Sequence, residues 1–287
     1  MTNVRSAGPP QASTAPSGGN ALHEVKSVGA LVSWPYPRWI AHRGAGKLAP
    51  ENTLAAFKLG AAHGYRMFEC DVKLSADGVP FLLHDATLER TSNGQGDAIA
   101  MRWEGLSKLD AGSWHSPTYA SEPLASLDAI SRYCLDNHFF LNIEIKPTPG
   151  LETETGTAVA DAVARLWKNT PTPPLLSSFQ PASLRAAKQA QPQLPRGLLL
   201  DKLSPDWVDA ALELDCVAVV CNYQLWDEVT VRAAMQAGLR TLAYTANDEV
   251  AAHRLLELGV DGIITDRVDL FMPADPTSGV YPKATDK

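Results

Sequence analysis

Short apolar stretches of β type recur along this chain at 39–41, 67–72, 79–83, 140–146, 175–178, 197–200, 216–221, 241–245 and 262–265. Helical patterns fill most of the gaps between them, at 53–63, 127–137, 155–168, 182–191, 205–214, 227–237 and 249–258, with Asn52 as a possible first cap and Pro205, Gly238 and Gly259 as punctuation. Strands separated by helices run the same way, so this alternation dictates a parallel sheet. The link from Val72 to Val79 is too short for a parallel crossover, which takes a dozen or more residues, and it contains the hairpin dipeptide Asp77–Gly78. That pair must therefore be antiparallel. Eight parallel strands and one returning arm account for the pattern, which predicts an α/β fold: a distorted (β/α)8 TIM barrel with a hairpin and a small insertion after the second strand. An open doubly wound sheet is the structural rival.

The ends of the chain differ from its middle. Residues 1–34 are rich in Ser, Ala, Pro and Gly and are expected to form a flexible tail, as are residues 273–287. The barrel is placed at 35–272, with the insertion at about 86–123. With 25 Lys+Arg against 32 Asp+Glu the net charge is −7, which opposes binding to nucleic acid or to acidic membrane surfaces. The longest apolar run, 216–221, is far below the roughly 18 residues of a spanning segment, so no integral membrane contact is expected. The start of the chain lacks a basic and apolar leader, and the expected compartment is the cytoplasm. Cys70, Cys134, Cys216 and Cys221 form no C-x-x-C pair and read as reduced, mostly buried thiols.

In such a barrel the chemistry lies at the carboxyl ends of the strands. The first strand ends in His42-Arg43-Gly44, followed by Pro50-Glu51-Asn52-Thr53; the second contains Glu69-Cys70-Asp71, whose alternation puts both carboxylates on one face. His84-Asp85 follows the hairpin, and the next strand ends in Glu144-Ile145-Lys146. A loop at 75–78 would bring His84 opposite Glu69, and a turn at Asp77–Gly78 alone would bring it opposite Asp71. Either register sets the imidazole beside the carboxylate pair. Glu69, Asp71 and Glu144 without a thiolate suit a hard divalent cation, Mg²⁺ or Ca²⁺, and leave His42 and His84 free for proton transfer.

Together these groups resemble the glycerophosphodiester phosphodiesterases of the bacterial cytoplasmic type, over about residues 38 to 272. The resemblance rests on H-R-G at 42–44, P-E-N-T at 50–53, E-C-D-V at 69–72, D-G followed by H-D at 84–85, E-I-K at 144–146, Y-T-A-N at 244–247 and G-V-D-G-I-I-T-D at 259–266. It implies metal-dependent hydrolysis of small soluble glycerophosphodiesters to sn-glycerol 3-phosphate and an alcohol. The metal would be held by Glu69, Asp71 and Glu144, with His42 and His84 as acid and base, Arg43 and Lys146 on the phosphate, and Glu51 and Asn52 in support. Many members carry an indole where this chain has Tyr244, which would face the glycerol end. His84, beside a carboxylate, is expected to favour its protonated form, and His42 to be neutral. The 86–123 stretch brings Trp103, Trp114 and His115, which either line the substrate mouth or pack on the barrel. The competing readings are a lysophospholipase D-type enzyme on the same barrel and a non-catalytic phosphate-binding barrel.

Overall fold

A computed structural model describes residues 1–2 and 33–273. The strands are β1 (Trp39–Ala41), β2 (Met67–Leu74), β3 (Pro80–Leu82), β4 (Phe140–Ile145), β5 (Leu175–Ser178), β6 (Arg196–Leu200), β7 (Ala218–Asn222), β8 (Arg240–Tyr244) and β9 (Gly262–Thr265). The helices are α1 (Leu54–Ala62), α2 (Trp103–Leu106), α3 (Leu127–Asp136), α4 (Glu152–Leu166), α5 (Pro181–Ala190), α6 (Trp207–Glu213), α7 (Glu228–Gln236) and α8 (Glu249–Glu257). The sheet order is β1-β9-β8-β7-β6-β5-β4-β2-β3, and β1 also pairs with β2. Eight parallel strands thus close on themselves, with helices between them, and β3 hangs antiparallel from β2. The fold is the TIM barrel that the alternation implied, and closure excludes the open sheet.

The interior narrows to a small apolar core of Ile40, Met67, Leu175, Leu199, Val220, Leu242 and Ile264, closed at the amino end by Tyr36, whose hydroxyl donates to the Pro173 carbonyl at 2.8 Å. A larger core lies between the outer faces of the strands and the helices. Trp34 packs edge-on against Tyr36, with centroids 4.7 Å apart, so the packed body begins at the last residues assigned to the tail; the rest of that expected tail, and that of 274–287, lies outside the described residues.

Three of the departures from expectation have plain local reasons. Strand β7 starts at Ala218 because the Cys216 N–H is still used to close the end of α6 on the Ala211 carbonyl, 2.9 Å away. Helix α1 is capped by Thr53, whose hydroxyl accepts from the Ala56 N–H, and not by Asn52. The hairpin pairs Leu74 with Pro80, one step between the two registers considered. Its loop, 75–79, is closed by Ser75 N–H to the Val79 carbonyl (3.1 Å) and Val79 N–H to Ser75 Oγ (3.0 Å), with Gly78 at φ 76°. Glycine is the residue that takes this conformation without strain. The Leu83 N–H still donates to the Asp71 carbonyl at 3.1 Å, and this register carries His84 past Asp71 without placing it opposite Glu69.

Between β3 and α3 the chain builds its own cluster on the hairpin, in which Leu88, Ala98, Leu106, Ala111 and Leu124 pack on Phe81 and Leu83. Trp103 belongs to this packing, 5.9 Å from the Phe81 ring, and borders a cleft against α3 and α4. Trp114 is exposed, and its indole N–H donates to the Ala111 carbonyl at 2.8 Å. His115 Nε2 lies 3.0 Å from the Lys47 carbonyl on the loop after β1.

Candidate active site

The loops after β1, β3, β4, β8 and β9 meet at the carboxyl end of the barrel. His42 follows β1 directly, and its Nδ1 lies 2.6 Å from Asp266 Oδ1, just past β9. Its Nε2 is 3.8 Å from Glu69 Oε2. The turn that carries it is tight: Gly46 packs so closely on the Asp266 backbone that no side chain fits there, and Arg43 and Asn52 are both left-handed, at φ 50° and 62°. Such strain in non-glycine residues is concentrated at functional sites. Here it aims both side chains at β2. Arg43 donates its N–H to Glu69 (3.1 Å) and ion-pairs through Nε with Asp71 (3.1 Å), while Asn52 Nδ2 donates to Asp71 Oδ2 (2.9 Å) and its Oδ1 accepts from the Asp71 N–H (3.1 Å). Release from capping is what frees the Asn52 amide for this work.

The parallel register sets Asp71 beside Glu144 and Glu69 beside Asn142. Oxygen atoms of Glu69, Asp71 and Glu144 lie within 4.8 Å of one another. Lys146 Nζ bridges Glu144 (2.9 Å) and Asp71 (3.3 Å). Burial, then the Asp71 charge, raises the Glu69 pKa, whereas Asp71, despite its burial, is held low by Arg43 and Lys146. Carboxylates this crowded keep one member protonated unless a cation replaces the proton. Both polar atoms of Asn142 and Ser177 Oγ beside Glu144 are buried without a hydrogen-bond partner, and Asp71 Oδ1 has only the ion pair to Lys146. An all-oxygen set with unsatisfied buried atoms around it fits a hard divalent cation.

His84 Nδ1 lies 2.7 Å from Asp85 Oδ1. Asp85, held at about 2 chiefly by Arg90, is ionised and can only accept, so Nδ1 carries the proton and Nε2 is left for the opening. The same logic holds for His42 on Asp266, which is likewise held at about 2, against its burial, chiefly by its bond to His42. The pKa directions run opposite to the expectation. Burial lowers the His84 pKa and Arg43 adds to the effect, outweighing Asp71 and Asp85. For His42 burial also acts downward, but the bond to Asp266 and the charge of Glu69 outweigh it and raise the pKa. A neighbouring carboxylate alone was therefore a poor guide.

Tyr244, at the end of β8, donates its hydroxyl to the Leu200 carbonyl (3.2 Å) and meets the exposed Phe179 ring edge-on, at 5.7 Å. Glu51 accepts from Arg43 NH1 at 2.8 Å and binds Arg90 through both oxygens. Sequence reasoning gave no role to Asp266, to Asn247, whose amide donates to Asp266 Oδ2 at 2.8 Å, or to Arg90. It also passed over Lys73, buried on the Glu69–Asp71 face with Nζ 3.2 Å from the Lys146 carbonyl. Asp266 and Asn247 lay in quoted motifs, and their place after strands β9 and β8 was the available signal.

The family model of the glycerophosphoryl diester phosphodiesterases matches residues 42–270. This chain belongs to that family. A glycerophosphodiester phosphodiesterase of Caldanaerobacter subterraneus is 34% identical over 232 residues, covering 79% of this chain and 93% of that one. Another, of Bacillus subtilis, is 30% identical over 85% of this chain and 88% of its own length. Among solved structures, an Oleispira antarctica phosphodiesterase in complex with the product sn-glycerol-3-phosphate superposes with a TM-score of 0.76 at 35% identity, covering 80% of this chain and 93% of that one. An Agrobacterium tumefaciens glycerophosphodiester phosphodiesterase gives 0.71 at 28% identity, over 83% and 99%. The present phosphodiesterase carries its whole constellation on one barrel. No helix among its described residues is long and apolar enough to cross a membrane.

Proposed function

We propose that this phosphodiesterase hydrolyses small glycerophosphodiesters to sn-glycerol 3-phosphate and an alcohol, using a divalent cation and the His42/His84 pair. The observation that carries the reading is convergence: two imidazoles each have Nδ1 fixed on a carboxylate, His42 reaches Glu69 of the three-carboxylate cluster at 3.8 Å, His84 interacts with the charge of Asp71 in the same cluster, and Arg43 and Lys146 lie alongside. Glu69, Asp71 and Glu144 would hold Mg²⁺ or Ca²⁺, which supplies positive charge where the phosphoryl oxygens become more negative. Arg43 and Lys146 bind the phosphate anion, with Glu51 and Asn52 fixing Arg43 and Asp71. Proton exchange runs through the Nε2 atoms: one imidazole takes the proton of the attacking glycerol hydroxyl as the other supplies one to the leaving alcohol, and the roles reverse when water opens the resulting cyclic phosphate to sn-glycerol 3-phosphate. Tyr244 and Phe179 border the glycerol side. Four free, buried cysteines support a reducing compartment, the cytoplasm.

The test is release of sn-glycerol 3-phosphate from glycerophosphocholine with and without EDTA. Chelation is expected to abolish turnover, and Mg²⁺ or Ca²⁺ to restore it. Undiminished turnover by a protein verified to be metal-free would remove the cation from the reading, and no release under any condition would remove the substrate class.

A further inference from the structure

Arg90 lies in the segment after β3, on the exposed side of the site, yet its guanidinium makes four hydrogen bonds to two carboxylates. Nε and NH2 reach Asp85 Oδ2 and Oδ1 at 2.5 and 3.1 Å, while NH1 and NH2 reach Glu51 Oε2 and Oε1 at 2.8 and 2.7 Å. Exposed ion pairs ordinarily contribute little, and the exceptions are bidentate arginines and networks. Arg90 is both at once. One partner, Asp85, holds His84 Nδ1; the other, Glu51, holds Arg43 NH1, and Arg43 in turn pairs with Asp71. A continuous path therefore runs His84–Asp85–Arg90–Glu51–Arg43–Asp71 between two loops that are otherwise separate in the chain. A lysine in this place would offer a single point charge and could not fork onto both carboxylates.

We propose that Arg90 is a positioning residue of the active site, one that fixes the His84 imidazole through Asp85 and the Arg43 guanidinium through Glu51. Resting on the proposed acid–base role of His84, it assigns a catalytic consequence to a residue that touches neither the phosphate nor the carboxylate cluster. Arg90 does not exchange protons. It holds Asp85 in the one orientation that receives the Nδ1 proton, so that Nε2 faces the opening.

The test uses the full-length protein and the variants Arg90→Met, Arg90→Lys, Asp85→Asn and the double variant Arg90→Met/Asp85→Asn. With Arg90 mostly at the surface, the melting temperature is expected to hold. Arg90→Met should lower kcat on glycerophosphocholine by about ten- to a hundredfold with a smaller change in KM, the loss expected from a misplaced catalytic group, and Arg90→Lys should restore little of it. The double variant should be worse than Asp85→Asn alone only by the share carried through Glu51 and Arg43, well short of the product of the two single losses. Nitrogen NMR of the His84 ring, assigned by loss of its signals in His84→Gln, should show a protonated Nδ1 in the parent and a mixture of tautomers in Arg90→Met. A kcat within twofold of the parent, fully multiplicative losses in the double variant, or an unchanged His84 tautomer in Arg90→Met would each overturn the proposal. The NMR result stands even if glycerophosphocholine is not a substrate, so failure of the substrate assignment and failure of the Arg90 assignment are told apart.

Discussion

The two histidines make the same bond, Nδ1 to an aspartate, but His42 is anchored within the barrel's closing seam whereas His84 is anchored in the added segment. Asp266 follows β9, the strand that pairs with β1, and is itself held by Asn247 from the neighbouring β8 loop on both its side chain (2.8 Å) and its N–H (2.8 Å). Asp85 is adjacent to His84 in sequence and depends on Arg90 from the same exposed stretch. One corner is therefore as rigid as the barrel, and the other as rigid as a surface network. The rigid corner resists displacement, while the network can change with little cost to the fold.

Replacing each histidine by alanine gives the largest effects and separates chemistry from stability. Both variants should lose roughly 10²–10⁴ in kcat, the range for a positioned acid or base. Their folding should differ: His42→Ala leaves the Asp266 carboxylate without its principal partner, at a cost of about 1–3 kcal/mol. His84→Ala, in the more exposed network, should stay within about 0.5 kcal/mol. Chemical denaturation of the metal-free proteins measures this contrast. Equal destabilisation would mean that the two corners are equally embedded.

Asparagine at each anchoring aspartate is a finer probe. In Asp266→Asn, the Asn247 amide still donates toward the old Oδ2 position, so the surviving carbonyl oxygen turns there and the new NH₂ faces His42 Nδ1. That forces the wrong tautomer, and kcat should fall by about 10² or more. Asp85→Asn has no such directing neighbour, because Arg90 donates to both oxygens, and the loss should be roughly tenfold, the modest end of general acid–base contributions. A reversed order would show that the added segment is the more constraining of the two.

Much of this contrast was hidden from the sequence for reasons that can be named. Period-two alternation made Glu69 and Asp71 partners, the strand–helix rhythm made the barrel, and strand ends drew attention to His42, His84, Glu144 and Lys146. Asp266 was one acid among many until ring closure brought it 224 positions back to His42. The hairpin register depended on a side-chain bond at Ser75 that no dipeptide rule describes. Arg90 sat in an irregular stretch without periodicity, where its two partners could not be placed. The charge bias expected of His84 failed because it was inferred from one neighbouring carboxylate, whereas burial and the Arg43 charge decide it; His42 was taken as neutral with Asp266 and Glu69 unweighed.

The smallest effect is the pH dependence of stability, and there the two corners should have opposite signs. In the metal-free protein His42 has a pKa raised above the ordinary value of about 6.5. A raised imidazole binds its proton more tightly when folded, so its contribution is fully present below about 6.5 and is lost as pH rises through the folded value. His84 is lowered. Below about 6.5 the unfolded chain takes up a proton that the folded His84 resists, so this group destabilises progressively as pH falls toward its folded value. The stability difference between the parent and His42→Gln should therefore grow from pH 8 to pH 6, and that between the parent and His84→Gln should shrink or change sign. Denaturation in EDTA across this range, with ring titrations of both histidines by NMR, reads the signs directly. If both differences moved the same way, the carboxylate cluster would be controlling both imidazoles together, and the separation into a barrel-held and a network-held corner would fail as a description of their charge.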